Sequence, residues 1–256
     1  MSVPMMIRPL VAALAFAVAL PALAHSDALE PKQEHWSFDG VFGNFDKPSI
    51  QRGVQVYKEV CSACHSLKRV PFRKLEEVGF SEAEVKALAA SYDVQDGPND
   101  SGEMFNRPGR PSDHFPSPYA NDKAARAMQN GALPPDLSLI IKAREDGPNY
   151  VFSILTGFQD APADKTIPDG GHYNPYFPGG VIKMPPPLSD NRVTYQDGTQ
   201  ATLEQEARDV VNFLQWAAEP EMEARKHMGI KVMIFLAVMS GVFYAAKKRI
   251  WNNIEH

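Results

Sequence analysis

"EVCSACHSL", residues 59 to 67, contains both cysteines of a 256-residue chain, and His65 directly follows the second. Two cysteines exclude a disulfide-rich scaffold, and they exclude four-thiolate zinc or iron-sulfur sites built from this chain alone. Four readings of the stretch compete. A thioredoxin-type dithiol normally opens a helix after a strand, where the helix N-terminus stabilises a thiolate; here the pair ends a predicted helix. Zinc requires two further ligands at suitable spacing, and His35, His114 and His172 form no paired motif. A plain disulfide makes no use of His65. Covalent haem attachment uses all three residues, with two thioethers from Cys61 and Cys64 and an axial nitrogen from His65. The motif therefore reads as the anchor of one haem c, and a colourless product would leave a thiol oxidoreductase or metal chaperone as the rival.

The ends of the chain say where this chemistry takes place. Arg8, the apolar run from Leu10 to Leu20 and the small residues Ala22 and Ala24 form an export signal, with cleavage expected after Ala24. Near the other end, 228–246 is apolar apart from Lys231, and as a helix it spans about 28 Å against a bilayer core of about 30 Å. Lys231 sits near its edge, where a long stem carries the ammonium out to the headgroups. Lys247, Lys248 and Arg249 favour a cytoplasmic tail over 247–256. The expected organisation is a signal peptide 1–24, an exported domain 25–227, and one span that tethers it to the cytoplasmic membrane from the periplasmic side. Exported chains meet oxidising machinery, so a free surface dithiol is disfavoured.

Between signal and anchor the fold class is mainly α, with long loops implied by 22 Pro and 17 Gly. The spacing predicts a helix from Ser49, as cap, to about Cys61, with Ile50, Val54 and Tyr57 on one face. Ser81 to Tyr92 is a second, with Ser81 and Glu84 at capping-box spacing. "PPDLSLIIKARE" and "PNYVFSILTGF" read as two more, separated at Gly147 and Pro148. "TLEQEARDVVNFLQWAAEP" is strongly amphipathic, with Ala207, Val210, Val211, Leu214 and Ala217 as its apolar stripe. Two stretches, 93–119 and 160–198, are too long for ordinary connections and read as functional loops. In the second, Met184 lies in "VIKMPPPL", where three prolines remove backbone donors and keep the loop extended. It is the candidate sixth ligand of the iron; the plainer alternative is that it packs against the haem edge.

The chain resembles the cytochrome c1 family, the membrane-anchored haem subunits of the cytochrome bc1 complex. The resemblance is carried by "RGVQVYKEVCSACHS", "RPGRPSDHFPSPYAN", "ARAMQNGALPPDLSLIIKAR", "YVFSILTGF", "YNPYFPGGVIKMPPPL", "YQDGT" and "FLQWAAEPEMEARKHMGIK". It implies a cytochrome c-like helical domain in which the helix entering the motif crosses a C-terminal helix. It implies thioethers at Cys61 and Cys64, His65 and Met184 as the two iron ligands, Arg144 and Tyr150 near the haem propionates, and Pro134 and Pro135 against the ring. It further implies an electron relay from a Rieske iron-sulfur protein to a soluble cytochrome c, beside cytochrome b in a dimeric complex, with no nucleic acid involved. Some bacterial members carry an extra cysteine pair that this chain lacks. A tethered cytochrome serving another oxidase or dehydrogenase is the alternative.

Charge agrees with a basic electron acceptor. Setting aside Arg8, Lys231, Lys247, Lys248, Arg249 and Glu255 leaves 21 basic and 30 acidic residues of the chain's 26 and 31. An acidic face speeds the docking of a basic carrier and makes it salt-sensitive. Glu76, Glu77, Glu82, Glu84, Asp93, Asp96, Asp100 and Glu103 contribute to that field.

Overall fold

A computed structural model describes residues 27–252. The export signal and the end of the tail therefore lie outside the described residues. In chain order the elements are α1 (Lys47–Glu59), α2 (Glu82–Ala90), β1 (Asp93–Asp96), β2 (Phe105–Pro108), α3 (Asp122–Met128), α4 (Gly147–Thr156), β3 (His172–Tyr173), β4 (Val181–Ile182), α5 (Leu203–Ala218) and α6 (Met222–Trp251). Short 3-10 turns at Cys61–Ala63, Phe72–Val78 and Pro178–Gly180 complete them. The class is mainly α, as expected.

The core is built where α1 crosses α5. Ile50, Val54, Val56 and Tyr57 of α1 bury themselves with Val210, Val211, Phe213, Leu214 and Trp216 of α5. The crossing is close because α1 carries Gly53 there: a Cβ at that position would lie 2.1 Å from the Asp209 carbonyl oxygen and 2.7 Å from the Phe213 Cβ. Beside it, the fully buried Asp209 carboxylate accepts hydrogen bonds from Ser49 Oγ (2.7 Å), Arg52 Nε (2.8 Å) and Gln205 Nε2 (3.0 Å). A buried carboxylate with a guanidinium and several donors is stable, whereas loss of one partner strands the other. From this crossing an aromatic relay runs outward: Phe213 to Tyr57 (5.7 Å), Tyr57 to Phe115 (5.5 Å) and Phe115 to Phe72 (4.3 Å between ring centroids).

Several local expectations are corrected. The first helix begins earlier than its apolar spacing suggested, with Asp46 as cap accepting the Ser49 N–H at 3.2 Å. Ser49 instead turns inward to Asp209. That helix ends at Glu59, so the motif lies beyond it in a 3-10 turn. The second helix keeps its Ser81–Glu84 capping box but stops at Ala90. The stretch 134–145 is a series of turns and no helix. Its early donors are committed elsewhere, Leu137 N–H to the Ser66 carbonyl (2.9 Å) and Ser138 N–H to the Asp136 carboxylate (2.9 Å). Gly147 and Pro148 start α4, as proline in a first turn can. A Cβ on Gly147 would lie 1.8 Å from the Ile141 carbonyl oxygen, so glycine permits the preceding turns to fold back onto α4.

The two long loops carry structure that pattern reading missed. β1 pairs antiparallel with β2, Asp93 opposite Pro108 and Asp96 opposite Phe105. Arg107 joins this ribbon to Asp96 and Asp113. β3 pairs antiparallel with β4, His172 opposite Ile182. α6 is 30 residues long, and its apolar stretch is not covered by any other part of the described chain. Met228, Ile234, Phe235, Val242 and Phe243 are all exposed along it. A helix apolar on every side and uncovered by protein is long and apolar enough to cross a membrane.

Gly53→Ala is expected to lower the unfolding free energy by about 1–3 kcal/mol through overpacking at the crossing, measured by thermal unfolding in parallel with the parent chain. Identical midpoints would show that the helices do not meet at that residue.

Candidate functional site

The site starts where α1 runs out. The Val60 N–H closes the helix onto the Val56 carbonyl (2.9 Å), and the Cys61 carbonyl then accepts from both Cys64 N–H (3.1 Å) and His65 N–H (2.9 Å). One tight turn thus carries both thiols and the imidazole. Tyr57, at the centre of the aromatic relay, donates its hydroxyl to the His65 carbonyl at 3.0 Å. The packed core therefore holds the motif's backbone directly.

The imidazole is held from the other side. His65 Nδ1 lies 2.8 Å from the carbonyl oxygen of Pro135. A carbonyl only accepts, so Nδ1 carries the proton and Nε2 presents its lone pair. This is how proteins orient a histidine that ligates a metal. Burial lowers the pKa of His65 below its ordinary value, against opposing effects of the Pro135 bond and Asp136, which favours the neutral, ligating form.

Asp136 braces the two strands of chain that meet here. Its carboxylate accepts from Ser66 Oγ (2.8 Å), Lys68 N–H (2.9 Å) and Ser138 N–H (2.9 Å), while Ser138 Oγ accepts the Arg69 N–H (3.1 Å). Burial raises this carboxyl, but the hydrogen bonds outweigh burial and keep it below the usual carboxylate range. On the opposite side, Gln129 Nε2 reaches Cys64 Sγ (3.5 Å) and donates to the Tyr119 hydroxyl (2.7 Å), which in turn reaches the Ala63 carbonyl (3.5 Å).

The rival chemistries of the motif meet physical objections. A redox dithiol requires a thiol that ionises readily. Burial, and secondarily Cys64, pushes the Cys61 thiol up to about 12, and the pair follows a helix C-terminus instead of opening a helix. Among the described residues no three His, Cys, Asp or Glu side chains gather as a metal site, which opposes zinc. Two free thiols beside a correctly turned imidazole fit a porphyrin that would be bonded through two thioethers, with its iron ligated by the imidazole nitrogen.

The other sequence candidates stand as follows. Pro135 joins His65 directly, and Pro134, half-buried, precedes it. Met184 is half-buried just beyond β4, in a segment held at one end by the β3–β4 pairing and at the other by buried Leu188. Tyr150 is half-buried in the first turn of α4. Arg144 is exposed, and its guanidinium donates to the Ala143 carbonyl at 2.9 Å. Arg144 and Tyr150 take no part in the hydrogen-bond network around His65. Tyr57, Tyr119, Gln129 and Asp136 belong to the site although sequence reading assigned them no role in it. Asp136 had a signal, since it directly follows Pro135 in "PPDLS".

Comparison with known proteins agrees with this chemistry. The Cytochrome C1 family model matches residues 36–254. The chain is 47% identical over 266 residues to cytochrome c1 of Rhodospirillum rubrum, covering 97% of this chain and 98% of that one. It is 52% identical over 244 residues to "Cytochrome c1 1, heme protein, mitochondrial" of Arabidopsis thaliana, covering 94% and 79%. It is also 50% identical over 252 residues to "Cytochrome b/c1" of Bradyrhizobium diazoefficiens, matching 90% of this chain but only 37% of that longer one.

Asp136→Asn replaces an acceptor of charged character by an amide whose nitrogen cannot accept, and about 1–3 kcal/mol of stability is expected to be lost at neutral pH. Because the folded carboxyl titrates below its ordinary value, its contribution is full above about pH 4 and is lost as pH falls through the folded value. The gap between parent and variant in acid unfolding should therefore close below that pH. A gap independent of pH would show that the carboxylate charge is not what braces the site.

Proposed function

The chain belongs to the cytochrome c1 family, and on that premise we propose how its own residues hold one haem c and serve electron transfer. Membership makes it a haem electron-transfer subunit of the bc1 complex, an oxidoreductase, anchored to a membrane. In this reading Cys61 and Cys64 would hold the haem through two thioethers, His65 Nε2 and the Met184 thioether would ligate its iron, and Pro134 and Pro135 would line the ring. The bound haem supplies a one-electron change of valence.

The observation that carries the reading is the His65 Nδ1 bond to the Pro135 carbonyl, which turns Nε2 outward from the brace. Around it the chain's residues act by holding still. Tyr57 fixes the His65 carbonyl, Asp136 locks the backbone of 66–69 to that of 136–138, and the β3–β4 ribbon steadies the segment before Met184. Ligands held this firmly keep reorganisation small when charge changes. Arg144 spends one donor on its neighbour's carbonyl, so turning to a propionate would cost it one surface hydrogen bond and gain a charge-assisted pair. Tyr150 serves the same edge.

The chain passes one electron from the Rieske iron-sulfur protein to a soluble cytochrome c, beside cytochrome b in a dimeric complex. Quinol chemistry belongs to those partners, and this subunit has no substrate-transforming site of its own. Residues 25–227 face the periplasm, 228–246 cross the cytoplasmic membrane and 247–256 form the cytoplasmic tail, after removal of 1–24. The acidic carrier-docking field is refined by local pairing: Glu77 is bound by Lys74 (2.6 Å), Glu84 by the capping box and Asp96 by Arg107. Glu76, Glu82, Asp93, Asp100 and Glu103 are exposed and face an approaching basic protein.

Denaturing electrophoresis with peroxidase staining tests the covalent link: the parent chain should stain at the mass of the mature product, and an unstained chain would remove the haem reading. Met184→Leu should keep that stain yet lower the reduction potential by hundreds of millivolts, the order set by axial ligands. A potential equal to the parent's would take Met184 out of the site.

A further inference from the structure

Residues 36–45 form a tight turn with one end buried, the other half-buried and an exposed tip. Trp36 and Phe38 are each 6% exposed and stack at 5.5 Å, with Phe38 and Phe45 6.4 Å apart. Between them Val41 and Phe42 stand 61% and 81% exposed. The turn is closed by Asp39 N–H to the Trp36 carbonyl (3.0 Å) and Asn44 N–H to the Ser37 carbonyl (2.9 Å). Asn44 Nδ2 holds the Phe42 carbonyl at 2.9 Å. Gly43 makes the closure possible, since a Cβ there would lie 2.1 Å from the Asp39 carbonyl oxygen. Two large apolar side chains are thus kept in water by a well-bonded frame.

This frame is bolted to α6. The Phe45 N–H donates to Glu223 Oε1 (2.7 Å), and Lys226 Nζ donates to the carbonyls of Phe38 (2.6 Å) and Gly43 (3.2 Å). Lys226 is taken up by this turn. The apolar run begins at Met228, so both bolts lie within about 8 Å, along the helix axis, of the point where it starts. The exposed pair therefore sits at the level where α6 would enter the hydrocarbon. Aromatic and aliphatic side chains are favoured in that boundary layer.

We propose that the 39–44 turn is a second membrane contact, with Val41 and Phe42 seated in the interfacial zone of the bilayer beside α6. The occupant is lipid: the patch is two exposed apolar side chains, and its turn is hydrogen-bonded to the only helix, among the described residues, suited to a bilayer. Apart from what partner subunits contribute, a single helix sets neither the height nor the tilt of the haem domain. A second contact fixes its height and orientation, and hence the direction in which its electron-transfer face points. The inference rests on the reading of α6 as a span.

The test uses the full-length, haem-bearing chain in phosphatidylcholine vesicles, in the ferrous state, with a nitroxide at V41C or F42C. F235C, in mid-span, and S101C, in an exposed loop, serve as lipid and water references. Power saturation compares collision with oxygen, which concentrates in lipid, and with a water-soluble nickel chelate. An oxygen-to-nickel ratio at V41C and F42C several-fold above that at S101C is the expected result. A ratio equal to that at S101C, with F235C in lipid, overturns the turn's role and leaves the span intact. Low access to both reagents identifies a protein neighbour and also overturns it. If F235C itself behaves as aqueous, both readings fall.

Discussion

Two helices touch backbone to backbone at Gly53, and the positions of Cys61, Cys64 and His65 follow from that contact. α1 must approach α5 closely enough for the Asp209 backbone to occupy the space where any side chain at residue 53 would stand. The same crossing buries Asp209 against Ser49, Arg52 and Gln205, so the register of the two helices is set by hydrogen bonds as well as by bulk. Sliding one helix along the other would strand a buried carboxylate, a cost of several kcal/mol by the usual behaviour of such groups. Because Cys61, Cys64 and His65 come directly after α1, the register of α1 on α5 is also their location.

A second constraint converts location into chemistry. The segments 65–69 and 135–138 are tied by His65 to Pro135, Ser66 to Asp136, Lys68 to Asp136, Leu137 to Ser66 and Arg69 to Ser138. These bonds engage the Pro135 carbonyl, which a helix over 134–145 would turn to the N–H of residue 139. The chain gives up regular structure there to orient one imidazole. The ring's tautomer is set by a backbone carbonyl, a group that no side-chain substitution elsewhere can titrate or recharge.

How much of this was legible depended on how local the cause was. The Ser81–Glu84 capping box was readable because both partners lie within one turn. The amphipathic stripe of α5 was readable because burial follows period. The start of α1 was misplaced because Ser49 is a good cap by type, yet its hydroxyl is drawn to Asp209, 160 residues away. Gly147 and Pro148 looked like a break, while only the packing against Ile141 shows that the glycine is a point of close approach. The β1–β2 ribbon escaped notice because its short strands carry Asp, Asn and Pro, and the β3–β4 ribbon because two residues a strand are too few to show alternation.

By itself the sequence determined the chemistry: two thiols and an imidazole at fixed spacing, a stiff methionine segment, an apolar stretch long enough for a bilayer, and family stretches that name the lineage. These are covalent or local properties, and they survive without knowledge of the fold. Only the tertiary structure decided which nitrogen of His65 faces outward, which residues brace it, and that a turn near the N-terminus is fastened to the first turns of α6. Most of these depend on groups 56 to 188 residues apart meeting at hydrogen-bond distance, and spacing along a chain carries no record of such encounters.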